Sequence, residues 1–281
     1  MTDPRATIPF AQLPESFARA LEHPPEHPAL ARPSATIVLM RPTRAALEVL
    51  LLRRVRTAGF VPGAFVFPGG RVDADDGAAP LLERVDGLTP DAAARRLGLA
   101  EDAAPSAMAF YVAALREAFE ETGLLVGRRD DGSAAPAAAD DPRVRDALVE
   151  VRRDEGCFPA VLDRLGYRLD AAAVEYVAHW ITPVVEPRRY DTRFFAAAVP
   201  AGHEPLIHAA ELSEAVWLTP AEALELNVRG DLPMVFPTIR TLEALLPFKA
   251  PEEVLAAFRG RAIPTILPRL VSTPRGVGME L

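Results

Sequence analysis

Apolar residues recur along this chain in two rhythms. "SATIVLM" (Ser34 to Met40) and "ALEVLLLRR" (Ala46 to Arg54) are short β-branched and aliphatic runs on either side of Pro42 and Thr43, and this spacing predicts a strand pair. "GAFVFPGG" (Gly63 to Gly70) reads as a third strand ending in a turn. From Ala109 to Thr122 the rhythm becomes helical, and Gly123 supplies the stop. Further helices are predicted at "PLLERV", at "TPDAAARRLGL" with Thr89 as cap and Pro90 at the first position, and at "VRDALVEVRRDEG", "FPAVLDRLG", "PAEALEL" and "PTIRTLEALL". "EYVAHWITPVV", "TRFFAAAVP" and "AVWLTP" read as strands, and "RRDDGSAAPAAADDP" (128–142) as a polar surface loop. A short helix is expected near Glu15 to Leu21. Strands and helices interleave, so the expected fold is α/β, a mixed sheet between helix layers.

Composition narrows the function classes. The 281 residues carry a formal net charge of -8, which argues against a nucleic-acid surface. Lys249 is the only lysine among 31 basic residues, a bias read as compositional rather than as phosphate recognition. Cys157 is the single cysteine, which excludes an intrachain disulfide and a cysteine-rich zinc site; it reads as a small apolar filler. No signal segment or membrane-length apolar stretch is read, so a cytoplasmic protein without membrane partners is expected.

The chemistry concentrates in one stretch, "LREAFEETGLLV" (Leu115 to Val126). Glu117, Glu120 and Glu121 stand at helical spacing on one face. Most acidic stripes are solvated faces. Here the neighbours Ala113, Ala114, Leu115, Ala118 and Phe119 are apolar, so three carboxylates need counter-charge. Magnesium or manganese supplies it, because hard cations prefer carboxylate oxygen. Arg116 can fix a carboxylate's orientation. "FPGGRVDADD" (Phe67 to Asp76) adds two glycines at a strand end, where backbone can come close to a ligand, and three further acids, Asp73, Asp75 and Asp76. A calcium-loop spacing from Asp73 fails, because Gly77 and Arg84 occupy positions that need acids.

"REAFEETGL" (Arg116 to Leu124) resembles the second half of the Nudix box, Arg-Glu-apolar-x-Glu-Glu-x-Gly-apolar, at every specified position. "GRVDADD" (Gly70 to Asp76) resembles its first half, with aspartate where the family usually has glutamate. Residues 77–115 separate the halves, so the box carries an insertion. Such an interrupted box is similar to that of the peroxisomal coenzyme-A-diphosphatase-like proteins and their bacterial relatives. "FPGGRVDADD" also resembles part of their coenzyme A signature, at Asp73 and Asp76, whereas the preceding part is replaced by "RTAGFVPGAFV".

The resemblance implies a Nudix-type α/β/α sandwich over residues 35–247. A helical insertion would lie near 77–108, a long loop and helices near 128–166, an N-terminal arm at 1–34 and a tail at 248–281. It implies hydrolysis of a diphosphate linkage in a small nucleoside diphosphate derivative. Mg2+ or Mn2+ would sit on Glu117, Glu120, Glu121 and the Gly70 carbonyl, and Arg116 would hold the glutamates. Glu211 or Glu214 would supply a further ligand or base, with a plain surface role equally open. His179 beside Trp180 reads as a core histidine, and His203 and His208 lack metal-like partners. Segments 77–108 and 128–160 are candidates for a substrate lid. Coenzyme A or acyl-coenzyme A is the first substrate choice. ADP-ribose or a nucleotide sugar is the alternative, and a non-catalytic Nudix-fold binding module is a third reading. A homodimer stays open.

Overall fold

The computed structural model describes residues 25–57, 61–129, 131–273 and 276–280. The helix expected near Glu15 to Leu21 lies outside them. Strands β1 (Ala31–Pro42) and β2 (Leu47–Arg54) are the predicted pair, joined antiparallel with Met40 opposite Val49. Two short strands follow, β3 (Phe65–Val66) on β2 and β4 (Gly69–Arg71) on β1.

The side chains of β1 alternate between two cores. Ala35, Ile37 and Leu39 enter one, and Val38 and Met40 enter the other. In β2, Leu50 and Leu52 face the first core while Leu47, Val49 and Leu51 face the second. That double burial explains why "EVLLL" reads as a continuous apolar run rather than an alternating one.

Three later strands complete the main sheet: β8 (Val174–Ile181), β9 (Arg189–Ala198) and β10 (Leu212–Leu218). Strand β9 runs parallel to β1, with Ala31 opposite Arg189 and Met40 opposite Ala198. The order is β10-β2-β1-β9-β8, closed at one edge by β11 (Thr265–Ile266) parallel to β8. The sheet is therefore mixed, as expected.

The first core is covered by α3 (Ala107–Thr122), with α2 (Pro90–Leu97), α4 (Pro142–Val151) and α5 (Phe158–Leu165) beside it. The second is covered by α6 (Pro220–Arg229), α7 (Phe236–Leu245) and α8 (Pro251–Phe258). Helix α3 starts where Ser106 accepts from the Ala109 amide at 3.3 Å and stops at Gly123, which is left-handed at φ 69 and donates to Phe119 O.

Several segments depart from the sequence expectations. The insertion 77–108 holds the two expected helices, α1 (Ala79–Leu82) and α2, and departs only in the short β5 (Val85–Asp86) between them. The segment expected as a surface loop carries β6 (Gly127–Arg129) and buries Ala135, Ala137 and Ala138, and the short side chain of Ala138 passes close under Gly123. Strand β7 (Tyr167–Asp170) pairs with both β5 and β6, making a small second sheet. From residue 248 onward, α8 buries Val254 and Phe258, β11 joins the main sheet, and β12 (Arg269–Thr273) and β13 (Gly276–Glu280) form a hairpin. No helix among the described residues is long and apolar enough to cross a membrane.

Candidate functional site

Helix α3 and the β4 turn meet beside β1. The buried Arg116 guanidinium is the hub. Its Nε donates to Asp76 Oδ1 at 2.8 Å and its Nη2 to Asp76 Oδ2 at 3.2 Å, a forked pair. Nη1 donates to Glu120 Oε2 at 3.0 Å and stands 3.2 Å from Glu117 Oε1. Nη2 also reaches the Arg71 carbonyl at 3.0 Å. Burial disfavours the arginine's charge, but the Asp76 hydrogen bond and the surrounding carboxylates outweigh it and push its pKa up. Asp76 is almost wholly enclosed. Burial raises its pKa, against the opposing pull of Arg116, and it accepts the Asp73 amide at 2.8 Å.

The two glycines have separate tasks. The Gly69 amide donates to Glu121 Oε2 at 3.0 Å. A Cβ on Gly69 would lie 2.4 Å from the Ala35 carbonyl, so β4 rests directly on β1. A Cβ on Gly70 would lie 2.1 Å from Glu117 Oε1. Only a residue without a side chain allows this carboxylate so near the backbone. Glu121 is buried, and burial together with the Glu117 charge pushes its pKa well up.

The donors are carboxylate oxygens backed by a glycine cradle, and that chemistry fits a hard divalent cation. Among the described residues no three acidic, histidine or cysteine side chains already close on one point at ligating distance. Glu117 and Glu120 turn to Arg116, and Glu121 to the Gly69 amide.

Glu117, Glu120, Glu121, Gly69 and Gly70 line a cavity of about 990 Å³, ample for a nucleotide-sized ligand. Its walls also carry Arg54, Arg152 and Arg188, and the apolar Phe67, Trp180, Phe194, Met234 and Phe236. Of the two candidate late acids, Glu211 lines the cavity, whereas Glu214 turns to Arg53 at 3.4 Å on the exposed side. His208 lines the cavity through the loop that donates its amide to Glu121 O. His179 is buried away from it, between Asp191 at 2.5 Å and Thr265 at 2.9 Å, so it is a core histidine. Burial lowers the pKa of His203. Cys157 packs against the first core.

The lid expectation is corrected. No residue of 77–108 lines the cavity, and Leu81, Ala93, Ala94 and Leu97 pack into the first core instead. Among the described residues of 128–160, only Arg152 reaches the cavity wall. Sequence reasoning passed over Arg54, Arg152 and the cavity face of His208, none of which stands in a motif.

Residues 29–245 match the NUDT19 Nudix domain family. The chain belongs to the Nudix family. This Nudix chain is 32% identical over 210 residues to the acyl-coenzyme A diphosphatase NUDT19 of Gallus gallus, covering 63% of the chain and 55% of that protein. It is 28% identical to the Homo sapiens protein of the same name, covering 88% of the chain and 74% of the relative. It spans about half the length of the chicken and Xenopus laevis relatives it matches. The crystal structure of a Nudix hydrolase from Alicyclobacillus acidocaldarius is 31% identical, with a TM-score of 0.66 over 81% of this chain and 96% of that one. The Nudix α/β/α architecture expected from the box is thus the architecture present.

Proposed function

We propose that this Nudix chain hydrolyses the diphosphate linkage of coenzyme A or an acyl-coenzyme A, releasing adenosine 3′,5′-bisphosphate and (acyl-)4′-phosphopantetheine. The observation that carries it is the opening of the Glu117, Glu120 and Glu121 cluster, with its Gly69-Gly70 cradle, into a cavity walled by arginines and aromatic rings. The names of the chicken, frog and human relatives support the same substrate class.

Glu117, Glu120, Glu121 and the Gly70 carbonyl would hold Mg2+ or Mn2+. Such an ion, when bound, screens the diphosphate charge and lowers the pKa of a water. The chain's own residues set up the rest. Arg116 orients Glu120 from its anchor on Asp76 and has no donor edge left for substrate. Glu211 stands on the cavity wall as the candidate proton acceptor for the attacking water. The apolar wall at Trp180 and Phe236 suits the less polar part of an acyl-coenzyme A.

The test is turnover of a panel with magnesium: coenzyme A, acetyl-coenzyme A, ADP-ribose, NADH and UDP-glucose, with Glu120→Gln alongside. Bisphosphate and phosphopantetheine products from the coenzyme A members, lost in Glu120→Gln, are expected. Turnover of ADP-ribose or UDP-glucose alone would overturn the substrate and keep the chemistry. No turnover by a metal-binding chain would favour a binding module.

A further inference from the structure

Six acidic residues line the cavity, Asp73, Glu117, Glu120, Glu121, Glu186 and Glu211, in a chain of net charge -8. A diphosphate entering there meets repulsion that a metal ion offsets only near the ion. Positive charge is therefore required elsewhere on the wall. Arg116 cannot supply it, because carboxylates and the Arg71 carbonyl occupy its fork.

Two other guanidiniums differ from Arg116. Arg54 ends β2 and lines the cavity, while its neighbour Arg53 points to the other face and pairs with Glu214. Among the described residues the Arg54 side chain makes no hydrogen bond or ion pair, and its Nε is buried without an acceptor. Arg152 follows α4. Its Nε donates to Glu120 O at 2.7 Å, and its Nη2 to Leu206 O at 2.5 Å and Glu121 O at 3.4 Å. These are main-chain carbonyls, so among the described residues Arg152 makes no direct ion pair, although the charges of Glu120, Glu121 and Glu211 act on it from farther off. The guanidinium is planar. Fixing the Nε-Nη2 edge also fixes the direction of Nη1, which engages no described residue. Both arginines stand close enough to Glu121 to act on it electrostatically.

Resting on the diphosphatase reading, we propose that Arg54 and Arg152 form a two-arginine clamp that grips the substrate's phosphate chain beside the carboxylates. The clamp is preorganised. Arg152 is held by the last turn of the carboxylate helix and by the Leu206 carbonyl, and Arg54 by the end of a central strand. Phosphate oxygens would supply acceptors to the terminal nitrogens of Arg54 and to Arg152 Nη1.

The test is calorimetric titration of inorganic pyrophosphate into the full chain in magnesium buffer, for wild type, Arg54→Met, Arg152→Met and Arg152→Lys. Each methionine variant is expected to weaken binding about ten-fold or more, as loss of a charge-assisted hydrogen bond does. Arg152→Lys should fall between wild type and Arg152→Met, because it keeps charge without the fork. Thermal melts report whether each variant folds. Should Arg152→Met unfold, Arg54→Met decides, since that side chain holds no backbone in place. Wild-type affinity in Arg54→Met, wild-type affinity in a folded Arg152→Met, or no pyrophosphate binding by wild type overturns the clamp. A wild-type chain that binds pyrophosphate through both arginines yet yields no product from acetyl-coenzyme A would retire the functional reading and leave the clamp standing.

Discussion

Asp76 accepts two hydrogen bonds from Arg116, at 2.8 and 3.2 Å, and both groups are buried. The pair joins the two halves of an interrupted motif, so the insertion between them leaves the carboxylate helix anchored. The shorter aspartate serves because the Asp73 amide and Arg116 both close on it. Asp76→Ala strands a buried guanidinium short of its strongest partner. It is expected to cost about 3 kcal/mol of stability, measured by urea unfolding. An unchanged unfolding midpoint would show that Glu117 and Glu120 suffice to hold Arg116.

The adjacent glycines should respond differently to the same substitution. Gly70→Ala drives a methyl into the end of the Glu117 side chain, which can swing away, so the chain should fold normally. Its metal-dependent turnover is expected to fall about a hundred-fold, as misoriented ligands cause. Gly69→Ala meets the Ala35 carbonyl and the Thr36 backbone, which cannot swing. A destabilisation of about 2 kcal/mol or more is expected in thermal melts. Equal melting losses in both variants would contradict the division of labour.

Glu211 and Glu214 are near neighbours in sequence with different surroundings. Glu211→Gln is expected to lower kcat about a hundred-fold, within the range that proton acceptors contribute. Glu214→Gln, which loses only an exposed contact to Arg53, should leave turnover unchanged. Steady-state kinetics of the two variants side by side would expose a reversed assignment.

Asp191 ties His179 and Arg193 together across the interior strands β8 and β9. Burial alone would raise its pKa, but the His179 hydrogen bond and the Arg193 charge outweigh that and hold it below the usual carboxylate range. A depressed carboxylate stabilises the fold above its unfolded pKa of about 3.9 and loses that contribution as pH falls through the folded value. Asp191→Asn should therefore melt earlier than wild type at pH 7, and the gap should narrow below about pH 4. A gap that persists unchanged to pH 3 would contradict this.

The carboxylate helix was legible in sequence because its signals are local: Arg116 and the glutamates at helical spacing, then Gly123 as the stop. The paired strands β1 and β2 were legible for the same reason. Strands β5, β6 and β7 were not, because runs of two to four residues exist only through their pairing with one another. Leu81 and Leu97 stood in segments whose composition suits a lid equally well, and only packing shows them in the core. Arg54 and Arg152 carry no motif. In a chain rich in arginine, what distinguishes them is a place on the cavity wall without a direct ion pair among the described residues, and ion pairs are not written in sequence.

The parallel pairing of β1 with β9 also bears on how the chain is made. As synthesis proceeds, β1 can pair early with β2 and β4, but its other edge waits for Arg189–Ala198 to emerge. Until then an apolar strand presents an open ladder of amides and carbonyls to any neighbouring chain. Such long-range pairing is slow and exposed to aggregation. Nascent chains released before residue 198 would lack β1's central partner, so fragments of this protein should be poorly soluble even where they contain the whole carboxylate helix.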